Sequence, residues 1–228
     1  MRMLLIPGLW LDASSWDAVL PYLSPEIEAR PLTMPGVGLP GDAVAGIDIT
    51  TWVDAVVAEI DASPDPVVVV GHSGGGNVAW GAADRRPDRV ARAVFVDTVP
   101  PPPGSGISEF AVADGVVPFP GWDFFPEEDT FDLDPATRRR AAERALSVPA
   151  AVTTSPLPLA GGRYGVPVTL LMGGLTADEM GSPLAQWGAY GEEFAAIDDV
   201  EVVRIGSGHW PQFSVPERLG QLLSTVVE

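Results

Sequence analysis

The chain has 228 residues, of which 46% are hydrophobic and 19% are charged, so its length and composition predict one globular domain with a sizeable core. The formal net charge of −18 at pH 7 argues against binding to nucleic acids and to anionic membrane surfaces, because both would be repelled. Cysteine is absent, which excludes disulfides and thiolate chemistry, and His72 and His209 are the only histidines.

All 13 basic residues are arginines, because the sequence contains no lysine. This excludes Schiff-base chemistry, a pyridoxal-phosphate anchor and a phosphate-binding P-loop. The sequence predicts no metal and no cofactor. Residues 1–8 lack the long apolar run of a secretory signal, and no later stretch approaches the roughly 20 apolar residues of a membrane helix. We therefore expect a cytoplasmic protein, monomeric or homodimeric, whose partner is a small-molecule substrate.

Short aliphatic runs alternate with segments of helical period along the chain. This pattern is typical of an α/β fold, in which a mostly parallel central sheet is flanked by helices. Apolar residues at helical spacing predict helices over 16–23 and 53–60. Ser214 and Glu217 have the spacing of a capping box, which predicts a last helix after Ser214. The predicted strands are 3–6, 27–32, 67–70, 93–96, 166–172 and 200–205.

One region breaks this alternation and is expected to be an insertion. Residues 100–162 begin with four prolines and contain several aromatic residues and an acidic run over 127–134. We expect residues 1–99 and 163–228 to form the core, and residues 100–162 to form a small cap over the carboxyl edge of the sheet. The acidic run is expected to be a solvated loop that leads into a helix.

The chemistry is carried by a G-x-S-x-G motif, Gly71-His72-Ser73-Gly74-Gly75, between four valines and a helical pattern. A strand, a sharp turn and a helix in this order form a nucleophile elbow, which exposes the serine hydroxyl at the edge of a sheet. A serine nucleophile needs a base within hydrogen-bond reach. The side chain of His72 should point away from Ser73, which leaves His209, on a glycine-rich loop before the last helix, as the base.

With these motifs the sequence resembles the α/β-hydrolase superfamily, and it is similar to the small capped members typified by salicylate esterases and hydroxynitrile lyases. The order of serine before histidine is also that of the superfamily. The resemblance implies that the backbone N–H groups of Leu9 and Gly74 form the oxyanion hole. Further matching motifs lie at 5–10, where Pro7 replaces the usual histidine, at 34–38 and at 208–209.

The acidic member of the catalytic triad departs from the usual pattern of the superfamily. In most relatives the acid follows the strand predicted over 166–172, but the matching position is Thr176. Asp178 follows shortly after it. Some relatives instead use the end of the preceding strand, and there the predicted strand over 93–96 runs directly into Asp97. We favour Asp97 over Asp178 as the residue that orients His209.

The leading interpretation is a serine hydrolase that cleaves a small, largely apolar carboxylic ester or lactone through an acyl-Ser73 intermediate. A lyase is excluded because Trp210 occupies the position of the lysine that holds cyanide in plant hydroxynitrile lyases. Dehalogenases and epoxide hydrolases carry aspartate in place of Ser73. An acyltransferase or cyclase, and a non-catalytic binding protein on the same fold, remain open alternatives. The expected substrate-binding residues are Trp10, Phe119, Trp122 and Trp210, with Phe124 and Phe125 as further wall residues.

Overall fold

Six parallel strands form the central sheet of the protein in a computed structural model, which describes residues 1–175 and 186–226. The strands follow the order β2-β1-β3-β4-β7-β8, and a separate two-stranded antiparallel sheet pairs β5 with β6. The mostly parallel sheet predicted from the sequence is confirmed. The strands are β1 (Arg2–Ile6), β2 (Glu28–Pro31), β3 (Val67–His72), β4 (Val90–Val96), β5 (Val116–Val117), β6 (Val148–Pro149), β7 (Val168–Met172) and β8 (Val200–Arg204).

Helices cover both faces of this sheet, because alternate side chains of each strand point in opposite directions. Leu4 and Ile6 of β1 join the cluster that contains α1 and α2, whereas Met3 and Leu5 join the cluster that contains Trp16 and the last helix. The helices are α1 (Ile49–Asp61), α2 (Gly74–Arg85), α3 (Glu127–Thr130), α4 (Pro135–Arg144), α5 (Ala150–Thr154), α6 (Ala189–Ala195), α7 (Pro211–Ser214) and α8 (Pro216–Thr225). No helix in the described part of the chain is long and apolar enough to cross a membrane.

Two local predictions are wrong. The segment 16–23 does not form an α-helix, because Pro21 has no N–H to donate, and the chain instead forms two short 3₁₀ turns, Ala13–Trp16 and Leu20–Tyr22. Ser214 does not cap the last helix. It ends α7, with its hydroxyl bonded to the carbonyl of Trp210, and α8 begins after Val215.

The segment 100–162 contains β5, β6 and α3–α5, and it packs on the loops at the carboxyl ends of the strands. The aromatic rings of Phe110, Phe119 and Phe125 lie 5.0–5.9 Å from Trp10, in the loop after β1. The backbone N–H of Leu146 also donates to the carbonyl of Trp10 at 2.9 Å. The residues expected to form a cap therefore contact the edge of the sheet at which β3 ends.

A buried ionic network joins the end of this segment to the helices. Arg163 is 1% exposed, and its guanidinium bonds to Asp84 of α2 at 3.1 Å and to Glu193 of α6 at 2.6 Å. Glu193 also accepts a hydrogen bond from Trp80, and Asp84 accepts three from the backbone of 160–162. Every charge in the network has an opposite partner, so the arginine is integral to the packing of α2 and α6.

We predict that Arg163→Met lowers the free energy of unfolding by about 3–5 kcal/mol, because it leaves the buried carboxylates of Asp84 and Glu193 without a counter-charge. Arg86→Met is the matched control, because Arg86 forms an exposed ion pair with Asp61 and should change stability little. Urea unfolding at pH 7 measures both variants. Equal losses in the two variants would contradict this account of the network.

Candidate active site

Ser73 occupies the sharp turn between β3 and α2, at the carboxyl edge of the sheet. Its backbone has φ 52° and ψ −125°, a conformation that residues with a Cβ rarely adopt. The N–H of Ser73 donates to the carbonyl of Val96 at 3.2 Å, and its own carbonyl accepts from the N–H of Gly76 at 2.8 Å. The strained turn is thus held on both sides by the neighbouring strand and by the helix.

The glycines of the G-x-S-x-G motif are required by close backbone contacts. A Cβ on Gly71 would lie 2.4 Å from the carbonyl oxygen of Gly75, and a Cβ on Gly75 would lie 2.5 Å from the carbonyl oxygen of Pro7. Both distances are shorter than any ordinary contact, and the backbone atoms cannot move independently. The nucleophile elbow predicted from the sequence therefore has the expected geometry of strand, turn and helix.

His209 lies in the loop between β8 and α7, and its Nδ1 is 2.7 Å from Oδ2 of Asp97. Asp97 follows directly after β4, with φ 48°. Its other carboxylate oxygen accepts a hydrogen bond from the backbone N–H of Gly173, at the end of β7, at 2.7 Å. The carboxylate is therefore fixed from two sides and orients the imidazole ring.

The charged form of Asp97 is favoured despite its burial. Burial by itself raises the pKa of this carboxyl, but the hydrogen bond and positive charge of His209 and the N–H of Gly173 together bring the pKa below its ordinary value. An ionised Asp97 accepts the Nδ1–H of His209, which leaves Nε2 as the nitrogen that can take a proton. Asp178, the other candidate acid, and Thr176 lie outside the described residues.

His72, which is not expected to be the base, forms two hydrogen bonds that the sequence does not predict. Its Nε2 donates to the backbone carbonyl of His209 at 2.7 Å, and its Nδ1 accepts from Nε2 of Gln212 at 3.3 Å. Burial, and secondarily the charge of His209, lower the pKa of His72 from 6.5 to about 3. His72 is therefore neutral at physiological pH and holds the backbone of the loop that carries the other histidine.

The sequence predicts that the acidic run over 127–134 is a solvated loop, but in the structure this run also forms hydrogen bonds beside His209. Its residues accept hydrogen bonds from the loop after β8. The backbone carbonyl of Asp129, in α3, accepts the N–H of His209 at 2.8 Å, and the carboxylate of Asp132 accepts the N–H of Gly208 at 2.8 Å. The His209 loop is thus bonded to the inserted segment as well as to His72.

Leu9 and Gly74, the expected oxyanion-hole residues, lie next to each other in the wall of one cavity. A Cβ on Gly74 would meet Cγ of Leu9 at 3.1 Å. Gly74 is the first residue of α2, and the first N–H groups of a helix have no acceptor within it. Trp10, which follows Leu9, has φ 64°. Positive φ angles, which non-glycine residues rarely adopt, therefore occur around this site at Trp10, Ser73 and Asp97.

These residues surround a cavity of about 360 Å³, a size suited to a small organic molecule. Trp10 and Trp210 line it, as expected. Phe119 and Trp122 are not among its described wall residues. They lie behind the wall, where Phe119 packs on Trp10 and Trp122 packs on Trp210. The described wall residues that the sequence did not single out include Asn77, Thr98, Val99, Ile107, Phe110, Asp129 and Tyr190.

A comparison with protein families matches residues 3–222 to the alpha/beta hydrolase family. The chain belongs to this family. The match covers nearly the whole chain and confirms the resemblance to the α/β-hydrolase superfamily. Among the described residues of this hydrolase-family chain, no group of three or more His, Asp or Glu side chains is arranged to hold a metal ion.

Two curated relatives show what this α/β-hydrolase chain is similar to. It is 38% identical, over 98 residues, to the pimeloyl-[acyl-carrier protein] methyl ester esterase of Aromatoleum aromaticum, a match that covers 43% of this chain and 37% of that protein. It is 35% identical, over 180 residues, to the lipase LipV of Mycobacterium tuberculosis, which covers 74% of this chain and 62% of that protein. The chain thus matches less than two thirds of either relative.

A solved structure supports the fold of the α/β-hydrolase chain over its full length. An extracellular α/β-hydrolase from a Paenibacillus species, described as sharing structural and functional homology with tobacco salicylic acid binding protein 2, aligns with a TM-score of 0.78. The alignment covers 99% of this chain and 98% of that chain, at 18% sequence identity. The architecture typical of salicylate-esterase-like relatives is therefore present.

The buried neutral His72 predicts a measurable pH dependence of stability in this α/β-hydrolase chain. Its pKa is about 3 in the folded protein and 6.5 when unperturbed, so between these values the unfolded chain binds a proton that the folded protein does not. Stability contributed by His72 is therefore present above pH 6.5 and is lost as the pH falls. At pH 5 the resulting loss in the free energy of unfolding is about 2 kcal/mol.

We expect His72→Gln, which cannot titrate, to lose about 2 kcal/mol less stability than the unaltered protein between pH 7 and pH 5. Urea unfolding at both pH values measures the difference, and the comparison cancels every group that the two proteins share. The same loss of stability in both proteins would show that His72 is not held neutral by its surroundings.

Proposed function

We propose that the protein is a serine hydrolase that cleaves a small, largely apolar carboxylic ester or lactone. One observation carries the proposal: the 2.7 Å hydrogen bond between Nδ1 of His209 and Asp97, in a cavity whose wall also contains Ser73 on its strained turn. An oriented imidazole and a serine that line the same cavity are the groups that acyl transfer through a serine nucleophile requires.

In the proposed reaction, the oxygen of Ser73 attacks the ester carbonyl while Nε2 of His209 takes the hydroxyl proton. The C–O bond to the leaving group then breaks, and His209 returns the proton to the departing alkoxide, which leaves as an alcohol. A water molecule, deprotonated by His209, then attacks the carbonyl carbon of the acyl-Ser73. The bond from that carbon to Oγ of Ser73 breaks, His209 returns the proton to Oγ, and the carboxylic acid leaves. Asp97 stays ionised throughout and stabilises the imidazolium in both steps.

The negative charge that develops on the carbonyl oxygen would be received by the backbone N–H groups of Leu9 and Gly74. The helix dipole of α2 adds a partial positive charge at the same place, because Gly74 begins this helix. Donors fixed in advance cost no reorganisation during the reaction, and each is typically worth a few kcal/mol in the transition state. A side chain at position 7 is not needed for this role.

The nature of the substrate is supported by the cavity and by the relatives. Apolar residues, including Trp10, Ile107, Phe110 and Trp210, form much of the wall, and apolar walls favour neutral organic groups. The two curated relatives are named as a methyl ester esterase and a lipase, both of which are ester-cleaving activities. These names favour ester hydrolysis over the other reactions of the family. We also propose that the protein acts in the cytoplasm.

Asp97→Asn should lower kcat by about 10³- to 10⁴-fold, because an amide N–H facing Nδ1 favours the wrong tautomer of His209. Asp178→Asn is the matched control and should change kcat little. Initial rates of 4-nitrophenyl butyrate hydrolysis measure both variants, with circular dichroism to verify that each is folded. The opposite result would transfer the acidic role to Asp178.

Rapid mixing with 4-nitrophenyl butyrate tests the proposed function itself. We expect a burst of 4-nitrophenol from the unaltered protein and none from Ser73→Ala, because only the former can form the acyl-enzyme. Ester product formed from an added alcohol in place of free acid would indicate an acyltransferase. Absence of turnover with this ester and with a panel of lactones would favour a binding protein.

A further inference from the structure

Asp129 places a carboxylate in the wall of the cavity that contains Ser73 and His209. Its side chain is half-buried, and it is one of the wall residues contributed by the inserted segment. The backbone of Asp129 is fixed against the site, because its carbonyl accepts the N–H of His209 at 2.8 Å. The contact that holds the His209 loop therefore also fixes the backbone of Asp129 beside the cavity.

No positive side chain balances Asp129 within the described wall of the cavity. Asp129 is the one carboxylate among these wall residues, and no arginine joins it. His72 is neutral, and the sequence contains no lysine. A substrate group that enters the cavity therefore meets a negative charge, and no arginine lies among the described wall residues to compensate it.

The surroundings of Asp129 are those of an unpaired charge rather than of a structural ion pair. Burial raises the pKa of this carboxyl, the charge of His209 opposes the rise, and the negative charges of Asp97 and Glu128 add to it. Glu128 is exposed and lies outside the cavity wall. Among the described residues, no side chain forms an ion pair with the carboxylate of Asp129, so the fold does not depend on its charge in the way that it depends on Arg163.

We propose that Asp129 is a specificity-determining residue, which admits esters that are neutral or positively charged near the scissile bond and rejects esters that carry a carboxylate there. This inference rests on the proposed ester hydrolysis. Like charges in a cavity partly shielded from water repel more strongly than they do in bulk solvent. The same repulsion acts on the product, since hydrolysis of a neutral ester leaves a carboxylate that Asp129 helps to expel.

Three phenyl acetates that carry an anionic, a neutral or a cationic group at the para position test the proposal. The anionic probe is 4-acetoxybenzoate, the neutral probe is 4-acetoxyacetophenone, and the cationic probe is 4-acetoxy-N,N,N-trimethylanilinium. All three donate the same acetyl group to Ser73. Their differing chemical reactivity cancels, because each ester is compared between the unaltered protein and a variant at pH 8 and low salt.

We expect Asp129→Asn to raise the ratio of kcat/KM for the anionic ester to that for the neutral ester by about tenfold. The ratio of the cationic ester to the neutral ester should fall by about the same factor. Glu128→Gln removes the same charge one residue away, outside the cavity, and should change neither ratio by more than about twofold. Asp129→Asn keeps the backbone carbonyl that holds His209.

The dependence of the rates on salt provides a second measurement. In the unaltered protein, an increase from about 0.01 M to about 0.5 M NaCl should compress the difference between the anionic and cationic esters, because salt screens the charges. In Asp129→Asn, the same increase in salt concentration should reduce the difference between the two esters by a smaller factor. This comparison separates the local charge of Asp129 from the net charge of the whole chain.

The outcomes distinguish the inference from the function on which it rests. Equal responses of all three esters to Asp129→Asn, or the same shift in Glu128→Gln, would contradict the role of Asp129 while hydrolysis itself is still observed. Failure of the unaltered protein to hydrolyse even the neutral ester would contradict the proposed function instead.

Discussion

The structure depends on the turn at Ser73, where the most buried strand of the sheet reverses into a helix. β3 lies between β1 and β4 and is buried along its whole length, so the chain cannot relax the strained backbone of Ser73 without disrupting the centre of the sheet. Because all six strands are parallel, their carboxyl ends meet at the same edge. The loops after β4, β7 and β8 therefore converge on Ser73.

This arrangement explains which features of the chain could be predicted from its sequence. The six predicted strands match the observed ones to within three residues at either end. The signal is strongest for β3 and β7, which are buried at every residue and are therefore continuous, largely aliphatic runs. Ser73 was identified because the glycines around it are required by backbone contacts that leave a local sequence pattern. The helix predicted over 16–23 does not form, because Pro21 prevents the helical hydrogen bonds although the apolar residues have helical spacing.

Other features depend on contacts between residues far apart in the chain and leave no local signal. Asp97 is bonded to Gly173 and His209, which are 76 and 112 positions away. The acidic run has a composition typical of solvent-exposed loops, yet Asp129 and Asp132 accept hydrogen bonds from the backbone beside His209. Those N–H groups need acceptors once the loop is covered, and the inserted segment that covers them also supplies the acceptors.

The two histidines have different roles because different groups surround them. His72 is enclosed without a hydrogen-bonded carboxylate and stays neutral, whereas His209 has Asp97 bonded to one nitrogen and Asp129 beside it in the cavity wall. In the proposed reaction, His209 takes a proton from Ser73, and both carboxylates stabilise the positive charge. The field that favours the imidazolium is the same field that repels an anionic substrate. Selection against negative charge is therefore a direct consequence of how this site would stabilise its base.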